Sequence, residues 1–284
     1  MYRTPKISLG PNHIKNRLIS NELRGSLNKQ PFIATVDKAT RTFKDSYNFR
    51  NRVSDFLDSR DREKDLPHAI FFINNLIKLK TIKNPDGTFI KGVERIFENA
   101  EEMLSQGKNV AGFYFEAELA LSLIEAGFSI KEVSVSKITN DKGETEELRD
   151  HDGYPREIDM IAEKEIDGES FRFDIEAKTG FKIKARNNNR LNYQVAALTE
   201  FAHTDDSIPV MILRDREPIL SENGELVYLK PKEPKNKIKK QCKNYLIHYP
   251  QLLIWKVPLK NFSDVEELNL VDSKELIRQR TIAA

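Results

Sequence analysis

The chain has 284 residues, of which 39% are hydrophobic and 32% are charged, and its net charge at pH 7 is only +2. This composition is typical of a soluble globular protein. The net charge is too small to indicate whether the binding partner is acidic or basic. No apolar run approaches the roughly 18–20 residues that span a bilayer, and the polar N-terminus predicts no secretory signal. Cys242 is the single cysteine, which excludes an internal disulfide framework and a cysteine-rich zinc site and favours a reducing, cytoplasmic location.

Residues 1–90 are predicted to form a mainly helical accessory region. Residues 1–42 have weak periodicity, and no element is predicted there. Apolar spacing predicts a short helix over 47–57, and Asp65-Leu66-Pro67 favours the start of another, because proline is tolerated in a first turn. The segment 69–79 is apolar nearly all round, which predicts a buried helix but leaves a strand open. We place a domain boundary near residue 90.

Residues 91–284 are predicted to form the catalytic domain and a C-terminal extension. The predicted elements are helices over 93–104 and 112–126 (ending at Gly127), a strand over 128–138, a polar loop over 139–156, two strands flanking Asp167-Gly168, a helix over 190–202, and strands over 209–213 and 252–257. Within 112–215 the order is helix–strand–strand–strand–helix–strand. That order predicts a mixed central sheet flanked by helices, an α/β or α+β fold.

Asp167-Gly168 is a favoured two-residue hairpin turn, and it fixes a register between the flanking strands. The apolar residues then share one face, because strand side chains alternate: Ile158, Met160 and Ala162 opposite Ala177, Ile175 and Phe173. The other face receives Glu157 opposite Lys178 and Asp159 opposite Glu176. A slip by one residue would destroy this sorting.

Asp159 and Glu176 as cross-strand neighbours would have Cβ atoms about 4.5–5.5 Å apart, so their carboxylates would repel. A raised pKa, the neighbouring Lys178 or a divalent cation would each offset the repulsion. Carboxylates without Cys or His favour Mg²⁺ or Mn²⁺ over zinc. A metal-bound water beside the Lys178 ammonium suits phosphodiester hydrolysis. A surface patch of alternating acids and bases is the alternative interpretation of this hairpin.

Two polar side chains fall on apolar helix faces. Glu116 shares a stripe with Leu119, Ala120, Leu123 and Ile124. An acid on a core-facing stripe requires a partner, although an N-terminal position favoured by the helix dipole is the alternative. Gln194 shares a face with Ala197, Leu198 and Phe201, with a partly exposed amide as the alternative. Glu118 and Glu125 fall off the stripe and are predicted to be solvated.

These motifs resemble the PD-(D/E)XK nucleases, which include archaeal Holliday-junction resolvases and Mrr-like restriction enzymes. The resemblance lies in Gly112-Phe113-Tyr114-Phe115-Glu116, Glu157-Ile158-Asp159, Asp174-Ile175-Glu176-Ala177-Lys178 and Gln194. It implies an α-β-β-β-α-β core, one or two Mg²⁺ ions and nucleic-acid cleavage. It further implies that Asp159 and Glu176 ligate the metal and that Glu116 does so directly or through water. Lys178 would position the attacking water, with Gln194 beside it on the following helix.

Basic residues follow the predicted catalytic strand at Lys182, Lys184, Arg186 and Arg190, where they are expected to grip the phosphate backbone. A second basic run over 230–240 either contacts phosphates or forms a solvated loop. The sequence therefore predicts a Mg²⁺-dependent nuclease whose partner is nucleic acid, DNA rather than RNA, with no membrane partner and with a homodimer left open. Two alternatives remain: an RNA nuclease of the same fold, as in toxins that cut tRNA, and a non-catalytic nucleic-acid-binding protein that keeps the fold.

Overall fold

The computed structural model describes residues 30–44, 48–60, 65–139, 145–149, 153, 155–166, 168–179, 188–204, 207–214, 216–231, 252–257 and 266–267. In this part of the chain the fold is α+β, with a mixed sheet and with helices concentrated in the N-terminal part. The predicted fold class is therefore confirmed. None of the helices described is both long and apolar enough to cross a membrane.

In the described part of the chain, four helices precede the helix that carries Glu116: α1 (Gln30–Thr42), α2 (Phe49–Asp58), α3 (Leu66–Thr81) and α4 (Val93–Ser105). The segment 69–79 is helical, which decides between the two alternatives left open for it. Helix α1 lies within 1–42, where no element was predicted. Its buried stripe is Val36, Ala39 and Phe43, three apolar positions at helical spacing among polar neighbours, which is too short a signal to stand out in the sequence.

Two further helices flank the sheet: α5 (Ala111–Glu125) and α6 (Asn188–Thr204). Helix α5 ends at Glu125, and the predicted terminating residue Gly127 follows its C-cap Ala126 with a φ of 86°, in the left-handed region. The amide of Gly127 donates to Ile124 O at 2.9 Å, and the amide of Phe128 donates to Leu123 O at 2.9 Å. These bonds satisfy carbonyls that the end of a helix leaves unpaired, and glycine adopts the required φ without a Cβ clash.

The central sheet contains β1 (Ser129–Val135), β4 (Ile158–Ile166), β5 (Glu169–Lys178), β6 (Ile208–Arg214), β9 (Leu253–Val257) and β10 (Glu266–Glu267), in the order β1-β4-β5-β6-β9-β10. Strands β1, β4 and β5 are antiparallel neighbours, whereas β6 runs parallel to β5 and β9 runs parallel to β6. From α5 to β6 the structure therefore contains the predicted α-β-β-β-α-β core, with one small hairpin inserted.

The inserted hairpin pairs β2 (Lys137–Thr139) with β3 (Thr145–Glu147), in part of the segment that was predicted to be a loop. That prediction was wrong at β3, because its three exposed residues, Thr-Glu-Glu, carry no apolar alternation to signal a strand. A second small hairpin, β7 (Arg216–Leu220) and β8 (Leu226–Pro231), follows β6 and was not predicted. The basic run over 230–240 begins in β8, and the rest of it lies outside the described residues.

From Met160 to Ile166 the β4–β5 hairpin has the predicted register, with Met160 opposite Ile175 and Ala162 opposite Phe173, whereas the pairs predicted for residues 157–159 lie beyond this ladder. Ile158 departs from the prediction, because it packs in the cluster on the other side of the sheet rather than with Met160. Met160 and Ala162 pack in one cluster and Ile161 packs with Ile158 in the other, so the alternation of β4 is broken between Ile158 and Met160. In neighbouring β1, Ser134 has a φ of 51° at the same level, between the residues that pair with Met160 and Ile158.

One cluster of buried apolar side chains extends from Val36 in α1 through α5 to Ile212 in β6. A smaller cluster on the other sheet face includes Val195 and Leu198 of α6. The N-terminal helices thus pack on the same core as one face of the sheet, and α6 covers the other face. The domain boundary near residue 90 stays a prediction.

Candidate active site

A pocket of about 520 Å³ lies where α5, β4, β5 and α6 meet. The pocket is lined by all five residues that were predicted from the sequence to be catalytic: Glu116, Asp159, Glu176, Lys178 and Gln194. They come from four different elements of the chain. The polar face of the β4–β5 hairpin and the two polar residues on apolar helix faces therefore converge in one place.

The hairpin contributes two acids and a lysine. Glu176 is only 4% exposed, and Lys178 Nζ donates a hydrogen bond to Glu176 Oε1. Asp159 Oδ2 accepts a hydrogen bond from the backbone amide of Ala177 at 2.6 Å. The carboxyl group of Asp159 is thus fixed against β5, between the positions of Glu176 and Lys178, and all three side chains open into the pocket.

Glu116 reaches the pocket from α5 and is 7% exposed. It lies on the same helix face as buried Leu119 and Leu123, as the periodicity predicted. No hydrogen bond joins its carboxyl group to another residue in the described part of the chain. Burying a carboxyl group without a hydrogen-bond partner costs free energy, and a positive charge in the pocket would offset that cost.

The acids in the pocket perturb one another. Burial raises the pKa of Glu116 well above its ordinary value, and the charges of Asp159, Glu157 and Glu176 raise it further. Burial likewise raises the pKa of Asp159, with Glu176 as the next contribution. For Lys178, burial alone lowers the pKa, but the charges of Glu176 and Asp159 outweigh it and the net pKa is raised. Lys178 therefore remains a protonated donor.

The donor set fits a hard divalent cation. Neighbouring carboxylates add to the raised pKa of Glu116 and of Asp159, and Mg²⁺ or Mn²⁺ would neutralise this local negative charge. Across the described ranges, no group of three or more His, Cys, Asp or Glu side chains is arranged so that it could hold a metal ion. Mg²⁺ does not require one, because it commonly binds one or two carboxylates and keeps water or phosphate oxygens as its other ligands.

Two residues of this region were not predicted as site residues. Glu157 lines the pocket, and Asn99 Nδ2 of α4 donates to its Oε1 at 3.0 Å. The predicted register already put Glu157 opposite Lys178, so this acid could have been found from the sequence. Asn99 could not, because it lies 58 positions earlier in the chain and carries no local signal.

The predicted nucleic-acid contacts cannot be placed in this geometry. Lys182, Lys184 and Arg186 lie outside the described residues. Arg190 belongs to α6, but its side chain also lies outside what is described. Their contact with phosphates stays a prediction.

Comparison of the chain with protein-family models, with curated proteins and with solved structures finds no match. The fold and the pocket therefore define the protein as an α+β chain with a pocket of acids and one lysine.

Proposed function

We propose that this protein is a metal-dependent nuclease that hydrolyses phosphodiester bonds in nucleic acid, with DNA favoured over RNA. The observation that carries the proposal is the convergence of Glu116, Asp159, Glu176 and Lys178 in one pocket, from one helix and two strands. The resemblance of the same four residues to the PD-(D/E)XK motif supports it. A surface patch of alternating charges would not bury its acids, whereas Glu116 and Glu176 are buried and Asp159 is half-buried.

Asp159 and Glu176 are the proposed ligands of Mg²⁺, or of Mn²⁺ in its place, with Glu116 binding directly or through water. Such a cation, when bound, lowers the pKa of a water molecule and neutralises charge on the phosphate. The amide of Ala177 holds the carboxyl group of Asp159 in place. Burial of the acids excludes bulk water, which strengthens their attraction for a cation.

Lys178 acts in this proposal as a hydrogen-bond donor. Its raised pKa keeps the ammonium protonated, so it orients the attacking water or stabilises charge on the phosphate oxygens and does not accept a proton. Gln194 enters the pocket from the opposite sheet face, and its amide can both donate and accept hydrogen bonds. Lys182, Lys184, Arg186 and Arg190 follow in the chain and are the proposed contacts to the backbone of the substrate.

The test is incubation of supercoiled plasmid, short DNA duplexes and tRNA with the full chain, in Mg²⁺ and in EDTA. We expect Mg²⁺-dependent cleavage of DNA, and Lys178→Ala should reduce its rate by about 100- to 1,000-fold. Lys131→Ala is the matched control, because Lys131 forms ion pairs with Asp86 and Glu163 outside the pocket. Circular dichroism checks that both variants fold.

Each other outcome has a defined meaning. Cleavage of tRNA alone would replace DNA by RNA as the substrate. Binding of DNA with no cleavage in Mg²⁺ or Mn²⁺ would favour a non-catalytic nucleic-acid-binding protein. Equal cleavage rates for the wild type and Lys178→Ala would refute the proposed site. The single Cys242 supports a cytoplasmic location for this activity.

A further inference from the structure

A buried ion pair joins α5, the helix that carries Glu116, to the end of strand β6. Arg214 Nη2 donates to Glu118 Oε1 at 2.8 Å and to Glu118 Oε2 at 2.6 Å. The two side chains are only 9% and 4% exposed. The guanidinium group also lies 5.4 Å from the ring centre of Phe115. The prediction that Glu118 is solvated was therefore wrong, because its partner comes from a strand 96 positions later in the chain.

Helix α5 is buried on every side. Residues 114 to 120 are all buried, and seven consecutive residues complete almost two helical turns. Apolar burial has no preferred direction, so it does not by itself select one rotation of such a helix about its axis. A charge-assisted hydrogen bond to a fixed guanidinium group does select one, because its geometry is directional.

The rotation of α5 decides where the Glu116 carboxyl group lies. Glu116 and Glu118 are two positions apart, so they project about 200° from one another and the ion pair lies on the far side of the helix from the pocket. A rotation of about 20° would move a group about 5–6 Å from the axis by about 2 Å. Misplacement of a catalytic group by about 1 Å can cost about 100-fold in rate.

Arg214 is anchored beside the catalytic strand. It follows Leu213, which pairs with Lys178 in the parallel β5–β6 ladder. The ion pair thus connects the helix that supplies Glu116 with the strand next to the one that supplies Glu176 and Lys178. No other charged contact of α5 does this among the residues that the structure describes.

We propose that Glu118 and Arg214 are positioning residues, whose ion pair sets the rotation of α5 that holds the Glu116 carboxyl group in the acidic pocket. Its kinetic consequence rests on the proposed nuclease function, whereas its structural consequence does not. Neither residue lines the pocket, so the pair acts through Glu116 and not on the substrate.

The test replaces both charges at once. Glu118→Leu with Arg214→Met keeps similar volume and leaves no unpaired buried charge, so the protein is expected to fold. In its crystal structure the Glu116 carboxyl group should move by about 1–2 Å, and kcat should fall by about 10- to 100-fold with little change in KM. If this variant does not fold, Arg214→Lys, which keeps the charge but loses the planar fork, is compared in the same way.

A control comes from another Arg–Glu pair, which joins helix α2 to helix α4. Arg52 Nε and Nη2 donate to Glu101 Oε2 at 2.9 and 2.6 Å, and its guanidinium group lies 5.3 Å from the ring centre of Phe97. Neither residue lines the pocket. Arg52→Met with Glu101→Leu also removes an Arg–Glu pair that packs on a phenylalanine ring, a more exposed one, and it should leave the position of Glu116 and kcat unchanged.

A double-mutant cycle separates positioning from stability. Adding Glu118→Leu and Arg214→Met to Glu116→Gln should produce no further loss of kcat, because the carboxylate that the ion pair positions is already removed. If the reductions in kcat from Glu116→Gln and from Glu118→Leu with Arg214→Met multiply in the combined variant, the proposal is overturned. A Glu116 carboxyl group that stays within about 0.5 Å of its wild-type position would also overturn it. A wild-type protein that cleaves nothing would refute the nuclease function alone, since the crystal structures still decide the position of Glu116.

Discussion

Neutralising Asp159 should stabilise the protein in the absence of metal. Burial and the charge of Glu176 raise the pKa of Asp159, so its carboxylate is unfavourable in the folded state. Two unit charges about 5 Å apart in an effective dielectric of about 20 repel by about 3 kcal/mol, and the attraction of Lys178 offsets part of this. An asparagine oxygen can still accept the bond from the Ala177 amide. We expect Asp159→Asn to raise the free energy of unfolding by about 1–2 kcal/mol at pH 8.

The stability difference between Asp159→Asn and the wild type should depend on pH. Because the pKa of Asp159 is raised in the folded state, folded protein binds the proton more tightly than unfolded protein does, and wild-type stability falls as pH rises above about 3.9. The advantage of Asp159→Asn should therefore be absent near pH 3 and grow towards pH 8. Urea unfolding in EDTA measures it.

Glu163→Gln is the control for this measurement, since Glu163 lies in the same strand and pairs with Lys131 at 2.9 Å near the surface. It should change stability by less than about 1 kcal/mol. A destabilised Asp159→Asn at pH 8 would refute the reasoning, because it would mean that the carboxylate is favourable in the metal-free pocket.

Three more predictions concern the metal, the fold and the substrate. Since the pKa values of Glu116 and Asp159 are raised, Mn²⁺ binding should release protons, and its affinity should increase as pH rises. Calorimetry in two buffers of different ionisation enthalpy measures the protons released, and an affinity that does not change with pH would contradict the prediction. Gly92→Ala should lower stability by more than about 2 kcal/mol, because Gly92 has a φ of 81° and an added Cβ would lie 2.1 Å from a carbonyl oxygen of β1. Gly107→Ala, at a φ of 68° with nothing within 4 Å, should cost only about 1 kcal/mol, and equal losses on thermal unfolding would contradict the difference. Lys184→Ala should weaken DNA binding at every sequence and reduce the salt slope by about 1 in fluorescence anisotropy titrations, whereas an unchanged slope would remove Lys184 from the interface.

Local patterns were sufficient to predict much of the site. The register of β4 and β5 follows from a two-residue turn and from alternation over adjacent strands, both of which are written within about 20 residues. Helical periodicity identified Glu116 and Gln194 because each is a polar residue on an otherwise apolar face. The prediction of a shared pocket combined these two kinds of signal with the resemblance to the PD-(D/E)XK motif.

The remaining features depend on residues far apart in the chain. Burial of Glu118 is decided by Arg214, and the orientation of Glu157 by Asn99 of α4. Ile158 packs on the other side of the sheet from Met160 although the two lie two positions apart in one strand, so the alternation rule does not predict it. Each of these outcomes results from tertiary packing that overrides the local pattern.

The hydrogen bond from the Ala177 amide to Asp159 makes that amide a spectroscopic reporter of the pocket. A backbone proton held by an ionisable oxygen changes its chemical shift and its rate of exchange with solvent when that oxygen gains a proton or a cation. The nitrogen–proton resonance of a single backbone position should therefore follow the occupancy of the acidic pocket directly. It would do so in an otherwise unmodified chain, without a substrate and without any measurement of turnover.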